Sequence, residues 1–261
     1  MTALRKRLRS LKRVTVAYSG GLDSSFLLTV AAKTLPGDVL AVTMVSVAQP
    51  SVDTDGAQKY AAKLGVPHHI QEVDVCGCPG FTENSPQRCY FCKKECFLVM
   101  KQVAALEGFK VLLDGSTGDD VSDYRPGMAA ARELGVLSPL LEVGLTKQEI
   151  RRLAKAMGVP QWNKPASPCL ASRIPYGTRI TPALLHQVQE AEAVLHQLGL
   201  VEVRVRHHGS VARLEVPRTD FPVVLKHAEE IVRKMKALGF TYVTLDMEGF
   251  RSGSLNEVLG R

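Results

Sequence analysis

The chemistry open to this chain is concentrated in a few short stretches. The first is Ser19-Gly20-Gly21-Leu22-Asp23-Ser24-Ser25, which follows an alternating apolar run at 13–18 and precedes a segment with helical apolar spacing. Glycines let the main chain approach a ligand, and a helix start offers N–H groups that have no partner inside the helix, so an anion is the expected occupant. The loop has neither the Gly-Lys-Ser/Thr end of a Walker loop nor the Gly-x-Gly-x-x-Gly of a dinucleotide site. Taken alone, Ser19 and Asp23 are also ordinary helix caps. A second stretch, Asp114-Gly115-Ser116-Thr117-Gly118-Asp119-Asp120, closes a later strand. Its carboxylates suit Mg2+, and equally suit an ordinary surface turn.

The third set is the cysteines, at 76, 78, 89, 92, 96 and 169. Cys169 lies in a proline-rich stretch beside Lys164 and Arg173, cations that favour a thiolate, and is the leading reactive residue. Cys76, Cys78, Cys89 and Cys92 have the number for a four-thiolate zinc site, although Cys76-x-Cys78 is tighter than usual zinc spacing. Cys96 falls one helical turn after Cys92, which fits a core-facing residue. Farther on, Arg204 and Arg206 alternate along an expected strand and share a face, where two guanidiniums can grip a phosphate. His207 and His208 add protonatable donors without an assigned role.

The elements that must position these groups follow from hydrophobic period and breakers. Strands are expected at 13–18, 39–47, 68–73 and 110–113, with helices at 23–33, 53–64 and 90–106 between them. The 39–47 run is apolar enough for a strand buried on both faces of a parallel sheet. Thr146 and Glu149 form a capping box for a helix at 147–157, which stops at Gly158 and Pro160. Residues 160–181 hold Pro160, Pro165, Pro168, Pro175 and Gly177, too many breakers for a regular element, and a domain boundary is placed there. A helix at 182–198, strands at 201–207 and 211–216, a helix at 221–238 and a strand at 241–246 make a small α+β unit. The expected division is 1–160, a linker at 161–181, and 182–261.

Composition excludes several classes. With 261 residues, 45% hydrophobic and 23% charged, the chain can build a sizeable core, so disorder and coiled coil are not its main architecture. Its longest apolar stretch, 39–48, is far short of the roughly 20 residues that span a bilayer. The basic N-terminus lacks an apolar secretory core, so a cytoplasmic location with reduced thiols is expected. The formal charge of +7 suits an anionic partner. The basic run at 5–13 is expected to be a solvated helix face.

The Ser-Gly-Gly-x-Asp-Ser loop after the first strand resembles the ATP-pyrophosphatase (PP-loop) superfamily, which splits ATP into AMP and pyrophosphate to adenylate a substrate oxygen. Taken with Arg88-Cys89-Tyr90-Phe91-Cys92-Lys93, Asp123-Tyr124-Arg125-Pro126-Gly127, the stretch from Cys169 to Gly177, Arg204-Val205-Arg206-His207-His208-Gly209 and Glu248-Gly249-Phe250-Arg251-Ser252-Gly253-Ser254, the chain resembles the LarE family of ATP-dependent sulfur transferases nearly end to end. That resemblance implies an α/β fold, a doubly wound, mostly parallel sheet of adenine nucleotide alpha hydrolase type with a small C-terminal α+β domain. It implies adenylation of a carboxylate of a pyridinium dicarboxylate mononucleotide and its conversion to a thiocarboxylate for a nickel-pincer nucleotide.

By the same resemblance, ATP and Mg2+ would meet Ser19, Gly20, Gly21, Asp23, Ser24, Met44 and Asp114. The substrate would meet Arg204, Arg206, Arg173, Ser172, Glu192, Glu215 and Asp220, in a homo-oligomer for which a hexamer is one candidate. Two sulfur routes occur in the family. In one, Cys89, Cys92 and Cys169 hold a [4Fe-4S] cluster that delivers a hydrosulfide, as three thiolates with an open iron can. In the other, Cys169 gives up its own sulfur and becomes dehydroalanine. A tRNA thiolase and a non-enzymatic nucleotide-binding iron–sulfur sensor are the competing functions. Aromatic residues at 6% and the lack of a separate RNA-binding module make nucleic acid the weaker partner.

Overall fold

The run Val39–Val45 is apolar or β-branched throughout, and in the computed structural model of the protein it is a strand with both faces covered. The structure describes residues 1–49, 53–121, 126–164, 168–251 and 253–260. The chain divides into two compact units, Met1–Phe81 with Pro86–Ser167, and Thr82–Ser85 with Pro168–Arg261.

Up to residue 164 the elements are α1 (Thr2–Leu11), β1 (Val14–Ala17), α2 (Leu22–Thr34), β2 (Val39–Val45), α3 (Thr54–Lys63), β3 (His68–Glu72), α4 (Pro79–Thr82), α5 (Arg88–Leu106), β4 (Leu112–Leu113), α6 (Gly127–Glu133), α7 (Pro139–Glu142) and α8 (Lys147–Ala156). The four strands are parallel in the order β3-β2-β1-β4. This is the expected doubly wound sheet, and the two-residue period of β2 shows how it is covered. Val39 and Ala41 join the core under α1, α2, α3 and α8, whereas Leu40, Val42 and Met44 pack with Phe97, Met100 and Ala104 of α5. The edge strand β3 exposes His69, Gln71 and Glu72, polar side chains that blunt an open edge. The expected strand at 110–113 shortens to β4, which a single bridge from Leu113 to Leu137 extends sideways.

The second unit contains α9 (Pro182–His196), β5 (Arg204–His208), β6 (Val211–Glu215), α10 (Phe221–Lys226), α11 (Ala228–Ala237) and β7 (Tyr242–Leu245). Its sheet has the order β5-β6-β7, antiparallel then parallel, over a core that includes Leu195, Val205, Leu214, Ile231, Met235 and Phe240. The single helix expected at 221–238 is two. His227 ends α10 with ψ +18°, and Glu229 and Glu230 then give α11 its own acidic first turn.

The chain also enters this unit earlier than sequence reasoning places it. Thr82–Ser85 belongs to it, and Asn84, fully buried at φ +55°, donates its side-chain amide to the carbonyls of Pro175 at 2.7 Å and Thr178 at 2.8 Å. The Asn84 carbonyl accepts from Gly177 N–H, and that of Thr82 from Ile180 N–H. The residues after Cys169 are thus fixed by a segment about 90 positions upstream, one of the few non-glycine sites at which the left-handed conformation suits the side chain. Asn84→Ala strips these half-buried carbonyls of their donor and is expected to cost about 2–3 kcal/mol of stability in urea unfolding.

Burial also holds the rings of His68 and His207 below the ordinary histidine range, which favours their neutral forms in the fold. An unfolded chain takes up protons on them below about pH 6.5, so this contribution is whole above that pH and is lost as pH falls. Thermal midpoints compared at about pH 7.5 and 5.5 should show that decline, and a His68→Gln/His207→Gln variant should flatten it.

Candidate active site

In the first unit, the chain leaves β1 through Tyr18 and turns at Gly20, whose φ of +68° favours glycine. Gly21 is the N-cap of α2, and no side chain caps this helix. Ser24 instead turns its hydroxyl back into the loop, 3.0 Å from Ser19 Oγ and 3.2 Å from Ser19 N, and donates to the Gly21 carbonyl. The hydroxyls therefore shape the loop, and the first turn of α2 is left for an anion. The 114–117 turn lies against it. A Cβ on Gly115 would come 3.1 Å from Ser24 N, a contact tight enough to push on the first turn of α2.

Asp114, just beyond β4, is 5% exposed, and its carboxylate accepts from Ser116 N–H, Ser116 Oγ and Ser138 Oγ at 3.1, 2.8 and 2.6 Å. Asp119 accepts from Lys147 N–H at the start of α8. The side chain of Asp120 lies outside the described residues. Among those residues, no group of three or more His, Cys, Asp or Glu is arranged to hold a metal ion. Asp114 is thus tied into the turn by its three donors, and the described residues of the turn do not by themselves make a three-ligand cage. A magnesium ion that arrives on the nucleotide's own phosphates needs no such cage. Met44, expected beside ATP, is a core residue whose side chain packs toward α5.

Five cysteines belong to this unit, and all are free thiols. Cys89 and Cys92 stand one turn apart on α5, with Cys96 a further turn along. A hydrogen bond shared with Cys96, and then burial, push the Cys92 thiol well up. Partial desolvation raises Cys89, whose side chain is exposed on the helix, against the opposing pull of Arg88. It raises Cys76 as well, helped by the negative charge of Asp74.

In the second unit, Cys169 precedes a tight turn, Leu170–Arg173. Arg173 is 2% exposed and forks onto Glu192 at 2.8 and 2.9 Å, while its Nη1 donates to the carbonyls of Pro168 and Cys169 at 3.1 and 3.2 Å and to Ser172 Oγ. Arg206 forks in the same way onto the fully buried Glu215, and also donates to the Ser172 carbonyl at 2.6 Å and to Ser254 Oγ at 2.7 Å. Two expectations are corrected by this geometry. Arg173 forks onto Glu192 and holds the main-chain carbonyls of Pro168 and Cys169, so it does not stand as a free cation beside the thiol. Arg206 directs its donors inside the protein instead of offering a free fork to phosphate.

Arg204 differs. It donates to the Val203 carbonyl, lies over the Phe250 ring, and makes no ion pair with a carboxylate among the described residues. Burial, followed by the nearby charges of Arg173 and Arg206, brings its pKa down to about 10. A half-buried cation crowded by its own kind is the member of this set suited to an incoming anion. Glu192 and Glu215 are the neutralising partners of the other two, and Asp220 lies apart from them on a surface cavity with Leu200, Glu202 and Thr219.

A family model described as asparagine synthase matches residues 1–197. The chain is 39% identical, over 97% of its length and 92% of the relative's, to the pyridinium-3,5-bisthiocarboxylic acid mononucleotide synthase of Lactiplantibacillus plantarum. The chain belongs to the LarE family. It is 40% identical to an uncharacterized protein of Synechocystis sp., over 98% of this chain and 96% of that one. To an uncharacterized protein of Methanocaldococcus jannaschii it is 29% identical over 92% of each chain. As a LarE-family member it is an ATP-dependent sulfurtransferase of the ATP-pyrophosphatase superfamily.

Of the LarE motifs, Ser19 to Ser24 and Asp114 meet at the ends of β1 and β4, and Ser172, Arg173, Glu192, Arg206 and Glu215 meet in one hydrogen-bonded network. Asp123, Tyr124, Arg125, Ser252 and the 165–167 segment lie outside the described residues. Sequence reasoning missed Asn84 and the anchoring of Glu215 by Ser254 Oγ, at 3.1 and 3.2 Å to its two oxygens. Removing Glu192 would leave Arg173 buried and unpaired. Glu192→Ala should therefore cost about 3–5 kcal/mol, whereas an Arg173→Met/Glu192→Met variant should cost less, as urea unfolding of the two will show.

Proposed function

We propose that this protein adenylates a carboxylate of a pyridinium dicarboxylate mononucleotide and converts it to a thiocarboxylate on the route to a nickel-pincer nucleotide. The end-to-end likeness to a synthase named for the bisthiocarboxylic product carries the reading. The local geometry suits it. A substrate carboxylate oxygen attacks the α-phosphorus of ATP, the bond from that phosphorus to the bridging oxygen breaks, and pyrophosphate leaves with the electron pair. The uncapped start of α2 suits the phosphates and the charge that grows on the leaving group. Arg204 supplies a cation to the phosphate of the mononucleotide, and Arg173 keeps the Cys169 main chain in one conformation while the acyl-adenylate awaits sulfur.

For the sulfur, Cys89, Cys92 and Cys169 are by donor type suited to three-thiolate ligation of a [4Fe-4S] cluster, although no three such side chains stand at ligating distance among the described residues, and the raised thiols of Cys89 and Cys92 would give up protons on binding it. Such a cluster, when bound, supplies an iron site at which inorganic hydrosulfide is held. Sacrifice of Cys169 is the second route, kept in view by the hydrogen-bonded clamp on its main chain. Self-association as a homo-oligomer and a cytoplasmic location belong to the same reading; no helix of the described residues is long and apolar enough to cross a membrane.

The test is anaerobic purification with absorption spectroscopy and intact mass before and after turnover. A brown protein whose colour survives turnover and is lost in Cys89→Ala supports the cluster. Loss of the elements of hydrogen sulfide from Cys169 in a colourless protein establishes sacrifice in its place. Absence of AMP and pyrophosphate would overturn the enzyme reading altogether.

A further inference from the structure

The phosphate loop from Ser19 to Ser25 contains no basic residue, yet it must meet a polyphosphate carrying several negative charges. A helix N-terminus offers about half an elementary charge, too little to balance them. The structure brings the missing cation from 144 positions away. The Lys164 ammonium donates to the Gly20 carbonyl at 3.1 Å, at the left-handed turn of the loop. Among the described residues this is its one hydrogen bond, and it has no carboxylate partner. Two of its three N–H donors are thus available.

Its placement is built rather than incidental. After α8 the chain turns at Gly158, buries Val159 completely, and runs through the short turn Pro160–Asn163. Trp162 of that turn packs into the core that also holds the buried face of α2, and Lys155 stands 4.5 Å over its ring. Lys164 therefore extends from a segment anchored to the same core as the helix behind the phosphate loop. Its ammonium lies beside the loop in the same unit.

We infer that Lys164 is a phosphate-binding residue for ATP, pairing its ammonium with the β- and γ-phosphates that depart as pyrophosphate. When the substrate oxygen displaces them, the bond between the α-phosphorus and the bridging oxygen breaks and its electron pair settles on the β-phosphate. Lys164 offsets that charge without giving up a proton. The separation from a Walker loop becomes intelligible: there the lysine is written into the loop, and here it is delivered by the chain after α8.

The inference rests on ATP use by this loop, which wild-type pyrophosphate release checks separately. With the full-length protein, Lys164→Gln should raise the KM for ATP and the Kd for inorganic pyrophosphate about ten- to a hundredfold, the loss of a charge-assisted hydrogen bond. Lys164→Arg should recover most of both, and the thermal midpoint and iron content should be unchanged in each variant. Values within twofold of wild type in Lys164→Gln would overturn the inference, as would equal damage by Gln and Arg, which would mark a purely structural contact with Gly20. A wild-type protein that released no pyrophosphate would remove the ATP reading on which the inference stands.

Discussion

The place of β1 between β2 and β4 constrains everything the first unit can bind. From β1 the chain goes one way to β2 and β3 and then crosses back to β4, so connections diverge at the carboxyl ends of β1 and β4 and leave a crevice there. Both the Ser19–Ser25 loop and the Asp114 turn emerge at that point, close enough that a Cβ on Gly115 would crowd the main chain of Ser24. Residues 24–31 of α2 are buried, and this packing fixes the helix whose start faces the crevice. The phosphate loop is consequently set by the core before any ligand arrives, and its serine hydroxyls are already committed to its shape. A site prepared in this way loses little free energy to reorganisation on binding.

The second unit solves a different problem, that of keeping charge where water is scarce. Arg173 and Arg206 are each matched by a forked glutamate, and the spare donors hold the carbonyls of Pro168, Cys169 and Ser172. Buried pairs of this kind add little net stability against an apolar alternative, but they fix geometry, because any movement leaves a charge unpaired. Balance stops at Arg204. Its neighbours' positive charges and its own burial make the cation costly, and an anion is what would relieve both.

What could be read from the sequence was whatever depended on local pattern. The glycines and serines of the loop, the double-sided run of β2 and the capping box of Thr146 and Glu149 are local signals, and the structure contains all three. Arg206 shows where pattern stops. Alternation along a strand tells which face a side chain takes, but not whether that face meets water or a buried glutamate nine residues on. Asn84 lay beyond reach for a related reason: its partners are some 90 positions away, and nothing in Glu83-Asn84-Ser85 separates a surface turn from a buried left-handed anchor. Lys164 was legible as a cation and not as to its target, since chain proximity to Cys169 counted for more than packing of Trp162 against the core of α2.

The cysteines obey the same electrostatics. A nucleophilic thiol is usually recognised by a cation that is not otherwise engaged, which draws its pKa down. Both cations beside Cys169 in sequence have partners of their own: Arg173 pairs with Glu192, and Lys164 donates to the Gly20 carbonyl. On α5, Cys89 and Cys92 are shifted the opposite way, toward the protonated form. Thiols held protonated are poor attackers, but they are ordinary metal ligands, because a soft cation displaces the proton and only its release opposes binding. On electrostatic grounds Cys89 and Cys92 are thus better suited to hold a soft cation than to attack as free nucleophiles.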